Sequence, residues 1–213
     1  WDRTYDYLKA IVFALAVGAF LLAAYSALQT QNTPAVADAN FGVTVALDKP
    51  VAEFSLPDAS GKSVKVGDFD SSRATVIAFI ATRCPVSLDY DARLKALSDS
   101  YRSKGVRFFG INSNKQEPAD EMGEHAREKG FGFPVLKDAG NKVADKFDAH
   151  VTPEIYVVNA KGVLVYKGHF DDSRDASKVK TKGLQLALDA ILDGKSPSPK
   201  ETRAFGCSIK RVN

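Results

Sequence analysis

Two hydrophobic periodicities organise the chain from residue 51 to residue 194. Thr75 to Ile80 run as Thr-Val-Ile-Ala-Phe-Ile, and this uncharged, β-branched and aromatic stretch suits a strand covered on both faces. The period then changes. Tyr90, Leu94, Leu97 and Tyr101 recur at spacings of four, three and four, which places them on one face of a helix predicted over Pro85–Ser103. A second apolar strand, Val106–Ile111, follows Gly105, and this strand–helix–strand order requires a right-handed parallel crossover. Upstream, Phe54-Ser55-Leu56-Pro57 and the alternating Val64 and Val66 flank the turn residues Asp58–Lys62 and predict a hairpin. Downstream the pattern predicts a loop at Asn112–Pro118, a polar helix at Ala119–Lys129, an extended piece at Phe133–Leu136 and a helical turn at Asn141–Phe147. A second hairpin follows from Glu154–Val158 and Gly162–Lys167, then an amphipathic helix from Leu184 to Leu192 that ends at Gly194.

A different pattern occupies Ala10–Leu28. These 19 residues carry no charge, and at 1.5 Å per residue they span about 28 Å, close to the hydrocarbon thickness of a bilayer. Arg3 and Lys9 precede the segment, whereas Gln29–Ala37 contain no positive charge. The positive-inside rule then puts the N-terminus in the cytoplasm and exports the rest. Ala35-Val36-Ala37 has the small-x-small form of a signal-peptidase site, but the apolar stretch is longer than a usual signal core, which favours an uncleaved anchor. The expected organisation is a cytoplasmic flank (1–9), a transmembrane helix (10–28), an extracytoplasmic tether (29–50), one domain (51–194) and a polar tail (195–213). The expected location is the inner membrane, single-pass, with the domain on the periplasmic side and the lipid bilayer as a partner. Ala14 and Gly18, and Ala19 and Ala23, are small residues at four-residue spacing that would let a helix of another membrane subunit approach.

Charge and composition exclude more than they assign. A formal charge of +3, with no basic run interleaved with aromatics, gives no support for nucleic-acid binding. Lys200, Arg203, Lys210 and Arg211 cluster in the tail and read as a solvated or docking surface. His125, His150 and His169 lack metal-ligand spacing, and His169 with Asp171 and Asp172 reads as a solvated turn, so no metal is expected. Glu121, Glu124 and Glu128 read as a charged helix surface. No phosphate loop, haem motif or other cofactor signature is present.

Chemistry centres on Cys84, where the buried strand meets the predicted helix. Cys84 falls at the N-cap and Pro85 in the first turn, where its missing N–H is no loss. Free N–H groups and the helix dipole favour a thiolate there, the dipole by about 0.3–1 kcal/mol. Arg83 would add to this if it turned inward. The alternative is a small buried cysteine that serves as packing. The second cysteine is Cys207 in the tail, an even count in a compartment where disulfides persist.

Between Val51 and Lys210 the chain resembles the thioredoxin superfamily, in particular its redoxin branch of alkyl-hydroperoxide-reductase-like and peroxiredoxin-like domains. The resemblance rests on Phe54-Ser55-Leu56-Pro57-Asp58, Cys84-Pro85, Gly105-Val106-Arg107-Phe108, Ile111-Asn112-Ser113-Asn114, Val151-Thr152-Pro153-Glu154, Tyr166-Lys167-Gly168 with Asp171-Asp172, and Gly206-Cys207-Ser208-Ile209-Lys210. It implies an α/β thioredoxin-like fold, a central mixed sheet flanked by helices. It also implies a cis Pro153 lying against the active thiol, so that Thr82, Arg83, Pro85, Thr152 and Pro153 wall the groove into which Cys84 opens. Two departures bear on activity. Thioredoxins carry Cys-x-x-Cys, and here Ala81 stands at the first cysteine position. Peroxiredoxins carry a threonine three residues before the reactive cysteine, and here Thr82 stands two before it. Two readings therefore remain open. In one, the protein is a redoxin in which Cys84 reacts and Cys207 resolves. In the other, a non-catalytic accessory subunit of a respiratory or photosynthetic membrane complex uses the fold as a docking platform, with Cys84–Cys207 a structural disulfide or the two thiols inert.

Overall fold

The computed structural model describes residues 44–212. Turn chemistry sets the first hairpin: Asp58 Oδ1 accepts the N–H groups of Ser60 and Lys62 at 2.8 and 3.1 Å. Strands β1 (Phe54–Pro57) and β2 (Ser63–Val66) pair antiparallel across it. Strand β3 (Ala74–Phe79) leads through helices α1 (Pro85–Leu88) and α2 (Asp91–Arg102) to β4 (Val106–Asn112), which lies parallel to β3 as the crossover rule requires. Helix α3 (Ala119–Glu128) precedes β5 (Val135–Lys137), which is parallel to β4. After α4 (Lys142–Phe147) come the two-residue strand β6 (Val151–Thr152) and β7 (Glu154–Asn159), the latter antiparallel to β3. Strand β8 (Leu164–Gly168) folds back on β7, helix α5 (Gly183–Leu192) follows, and the tail ends in β9 (Cys207–Ser208). The main sheet has the order β5-β4-β3-β7-β8 and is mixed, with helices packed on it.

β3 is buried along its whole length because it feeds two cores in alternation. Ala74, Val76 and Ala78 pack with Leu94 and Tyr101 of α2, Met122 of α3 and Leu184 and Leu188 of α5. Ile77 and Phe79 point the other way, toward Phe54, Val66, Phe147 and Ile209. Tyr101 hydroxyl donates to Asp189 and so links α2 to α5.

Three expectations change. The helix predicted over Pro85–Ser103 is two helices, broken at Asp89–Tyr90, where the Tyr90 N–H reaches back only to the Ser87 carbonyl at 3.0 Å. The break seats the Tyr90 ring edge-on to Phe170 and Phe205 at 5.6 and 6.4 Å. The tether does not run to Pro50: Val45 is buried and donates to the Lys146 carbonyl, and Asp48 and Lys49 bond to Leu164. The basic tail is not merely solvated, since Lys200 pairs with Asp48 at 2.8 Å and Arg211 with Asp145. The predicted membrane segment at 10–28, its small-residue pairs and its flanks lie outside the described residues. Among the described residues no helix is long and apolar enough to cross a membrane.

Phe147 is fully buried, with ring contacts to Phe54, Phe79 and Tyr156 at 5.9, 6.0 and 5.1 Å. Phe147→Ala is expected to lower stability by about 3–5 kcal/mol. Guanidinium unfolding checks this, as a lower midpoint at unchanged slope.

Candidate active site at the Cys84–Cys207 disulfide

Cys84 occupies the N-cap of α1 with extended backbone (φ −89°, ψ 113°), and Pro85 is the first helical residue. The strand has just ended and the helix has not begun, so the local N–H groups lack helical partners. One of them, on Ser87, points at Cys84 Sγ from 3.4 Å. Ser87 Oγ in turn accepts the Ala81 N–H at 3.0 Å, which closes the turn over the vacated first-cysteine position. Cys84 is 4% exposed, and its sulfur lies 3.4 Å from the Thr152 carbonyl oxygen. The Thr152–Pro153 peptide is cis, as the family resemblance implies, and both residues are buried beside the thiol position. The Thr152 hydroxyl is buried and has no hydrogen-bond partner.

Cys207 reaches this point from the tail and forms a disulfide with Cys84 across 123 residues of sequence, with 5.9 Å between the Cα atoms. β9 lies antiparallel to β6, with Cys207 opposite Thr152 and Ser208 opposite Val151. A Cβ on Gly206 would sit 2.0 Å from the Thr152 carbonyl oxygen, so the tail approaches this closely only with glycine there.

Thr82 and Arg83 stand at the site by their backbone rather than their side chains. Thr82 hydroxyl donates to Glu121 Oε1 at 2.7 Å, and the exposed Arg83 guanidinium pairs with the same carboxylate. Arg83 therefore does not turn inward toward Cys84. Arg83 and Thr82 hold the Glu121 carboxyl well below the usual range, at about 2, so Glu121 is more than plain helix surface.

The carboxylate that builds this loop, Glu117, carries no motif of its own in the sequence. Glu117 is 3% exposed, and its two oxygens accept the Thr82 N–H at 2.8 Å, the Arg83 N–H at 3.1 Å, and the side-chain amides of Asn112 and Asn114 at 2.5 and 2.9 Å. Lys137, also buried, donates to Asn112 Oδ1 at 2.9 Å and to the Asn114 carbonyl at 2.6 Å. Burial alone would push the Glu117 carboxyl up, but the four donors outweigh it and hold the group below its ordinary value. Burial pushes Lys137 down, against the opposing pull of Glu117 and Asp138. A polar Asn-Ser-Asn run at the C-terminal end of an apolar strand was the available signal, because sites of open α/β sheets collect there.

The remaining candidates lie elsewhere. His125 pairs with buried Asp91 at 3.0 Å, His150 with Asp148, and Asp171 with Arg93. Among the described residues no cluster of His, Cys, Asp and Glu could hold a metal ion.

Glu117→Gln replaces an acceptor with a group that must turn an N–H₂ toward donors, and a loss of about 1–3 kcal/mol is expected at pH 7. Because the folded Glu117 pKa is depressed, its contribution is complete above the usual glutamate value of 4.5 and is lost as pH falls through the folded pKa. The difference between wild type and variant is therefore expected to be constant above that value and to shrink below it, as read by denaturant unfolding across pH.

The chain is similar to known proteins over most of the region that carries this site. The model of the AhpC/TSA family matches residues 47–167. A crystal structure of a hypothetical protein from Sinorhizobium meliloti superposes with a TM-score of 0.73 at 33% identity, over 79% of this chain and 96% of that one. The thiol:disulfide interchange protein DsbE of Allochromatium vinosum is 28% identical over 123 residues, 57% of this chain and 65% of DsbE, so the chain spans less than two thirds of that relative. A thiol:disulfide interchange protein of the thioredoxin family from Chlorobium tepidum shares the fold at 22% identity and a TM-score of 0.50, over 61% of this chain and 90% of that one. The fold is thus thioredoxin-like, and the protein resembles thiol–disulfide oxidoreductases. With 121 consecutive residues of 213 matched, from β1 through the disulfide-bonded Cys84 to β8, the chain belongs to the AhpC/TSA family.

Proposed function

We propose that this is a membrane-anchored, extracytoplasmic thiol–disulfide exchange protein whose exchangeable pair is Cys84 and Cys207. One observation carries the reading: the two halves of the disulfide are unlike. Cys84 is buried at a helix N-terminus and faces the Ser87 N–H, whereas Cys207 is half-buried on a two-residue strand of the tail. A donor thiolate that attacks Cys207 forms a new S–S bond there and expels Cys84 as a thiolate, which the helix end and the Ser87 N–H favour as the leaving group. The donor's second thiolate then attacks the donor sulfur of that mixed disulfide. This frees Cys207, so the donor dithiol is oxidised and the protein's pair reduced. Peroxide chemistry has less support, because the Thr82 hydroxyl is engaged by Glu121 and the position three before Cys84 is Ala81.

The anchor is Ala10–Leu28, whose length and lack of charge support a membrane location with the domain outside the cytoplasm. A second reading, a non-catalytic subunit of a respiratory or photosynthetic membrane complex with Cys84–Cys207 as a permanent staple, is favoured by one fact. The tail is held by the Lys210, Arg211 and Val212 contacts independently of the disulfide.

Equilibration in dithiol redox buffers, followed by acid quench, alkylation and mass analysis, separates the two. Exchange predicts a reversible midpoint above about −300 mV, the region below which structural disulfides of secreted proteins fall. A disulfide that opens only after denaturation would sink the exchange reading. For the anchor, the protein is expected to stay in the membrane pellet through an alkaline carbonate wash and to leave it in detergent; release by carbonate would count against an uncleaved helix.

A further inference from the structure

We propose that the groove between α2 and α5 is a docking site for an extended, acidic segment of a partner protein. Apolar residues of that segment sit in the groove, and its carboxylates lie at the lysine-lined mouth. The site shares no residue with the disulfide site and stands whether or not that disulfide exchanges.

Helix α5 buries Leu184, Ala187 and Leu188 against the sheet. Its outer side carries Leu186, which at 54% exposed is one of two large hydrophobic residues left exposed among the described residues. Lys182 precedes Leu186 by one turn, on the same side of the helix. There a groove of 390 Å³ opens, with apolar walls formed by Ala96 and Leu97 of α2 and by Phe170, Ala176 and Val179, and Lys182 at its edge.

The charges of this face do not balance among themselves. Each nearby carboxylate is already committed: Asp171 to Arg93, Asp89 to Arg174, Asp175 to Ser177 and Lys178, and Asp189 to Tyr101. Asp172 accepts the Lys180 N–H at 2.9 Å. Lys180 and Lys182 are exposed, and neither amine has a partner among the described residues. Residues 178–182 read Lys-Val-Lys-Thr-Lys, and the chain is extended at Val179 (φ −64°, ψ 121°). In an extended chain residues two apart share a side, about 6.5–7 Å from one another. An extended segment with acidic and apolar residues in alternation has the same spacing, so its carboxylates meet the lysines while the residues between them enter the groove.

The same observations disfavour two other occupants. A second copy of this chain, paired about a twofold axis, would set these lysines against their own copies. A bilayer surface meets the lysines but is flat, and leaves the concave apolar walls uncovered.

The test uses the full-length protein in phosphatidylcholine nanodiscs and the fluorescein-labelled peptide Glu-Val-Glu-Leu-Glu-Phe-Glu, followed by anisotropy. Binding is expected to weaken at least about tenfold in Lys180→Glu/Lys182→Glu, whose two side chains have no partner to lose, and severalfold in Ala96→Trp, which fills the groove. A peptide with glutamine for glutamate is expected not to bind, and one with serine for each apolar residue to bind severalfold more weakly. On wild type, raising salt from about 0.05 to 0.3 M is expected to weaken binding severalfold, which keeps the test open if a variant does not fold. No binding of the acidic peptide up to about 1 mM overturns the proposal. So does equal binding by wild type and the folded double variant, or equal binding of the serine peptide, which would mean charge attraction without a groove. Hydrogen exchange on the same nanodiscs separates the membrane: protection of residues 176–186 that follows replacement of phosphatidylcholine by phosphatidylglycerol, with no peptide present, overturns the proposal in favour of an anionic bilayer.

Discussion

A carboxylate buried between three chain segments must be fully hydrogen-bonded or it would unfold its surroundings. Glu117 meets that constraint and in doing so joins the parts of the site. Two of its donors are backbone N–H groups of the loop that delivers Cys84, and two are amides at and just beyond the end of β4. Through Asn114 the same network reaches the tail, and through Asn112 it reaches Lys137 on β5. The end of the sheet is thereby held in one arrangement on which both the position of the thiol and the course of the tail depend.

On that frame the missing first cysteine has a structural consequence. Ala81 is buried, and its N–H is satisfied by Ser87 rather than used to support a second thiol. Cys84 is left to a partner that arrives from 123 residues away, on a strand paired with β6. With the pair oxidised, the tail lies along β6 beside Cys84.

The elements were legible wherever a period was sustained. Both hairpins, the parallel crossover and the α5 helix followed from alternation, turn residues and a 3.6-residue repeat, because these patterns record burial directly. The break at Asp89–Tyr90 was not legible, since Tyr90 keeps the helical spacing with Leu94 while its ring is seated by Phe170 and Phe205 from distant parts of the chain. Cys84 stood out because a thiol at a strand-to-helix junction is a local feature. Glu117 did not, because a single glutamate in a polar loop looks the same whether it is solvated or buried among four donors.

What the chain determined by itself is therefore local: the alternation of β3 between two cores, the N-cap position of Cys84, the glycine before Cys207 and the long uncharged run at Ala10–Leu28. Tertiary structure alone decided that Arg83 and Thr82 turn to Glu121, that Glu117 is sequestered, and that the polar tail is a strand rather than a loose end. The physical reason is that burial and hydrogen-bond partnership belong to pairs of groups far apart in sequence, and no single position carries a record of which distant partner will satisfy it.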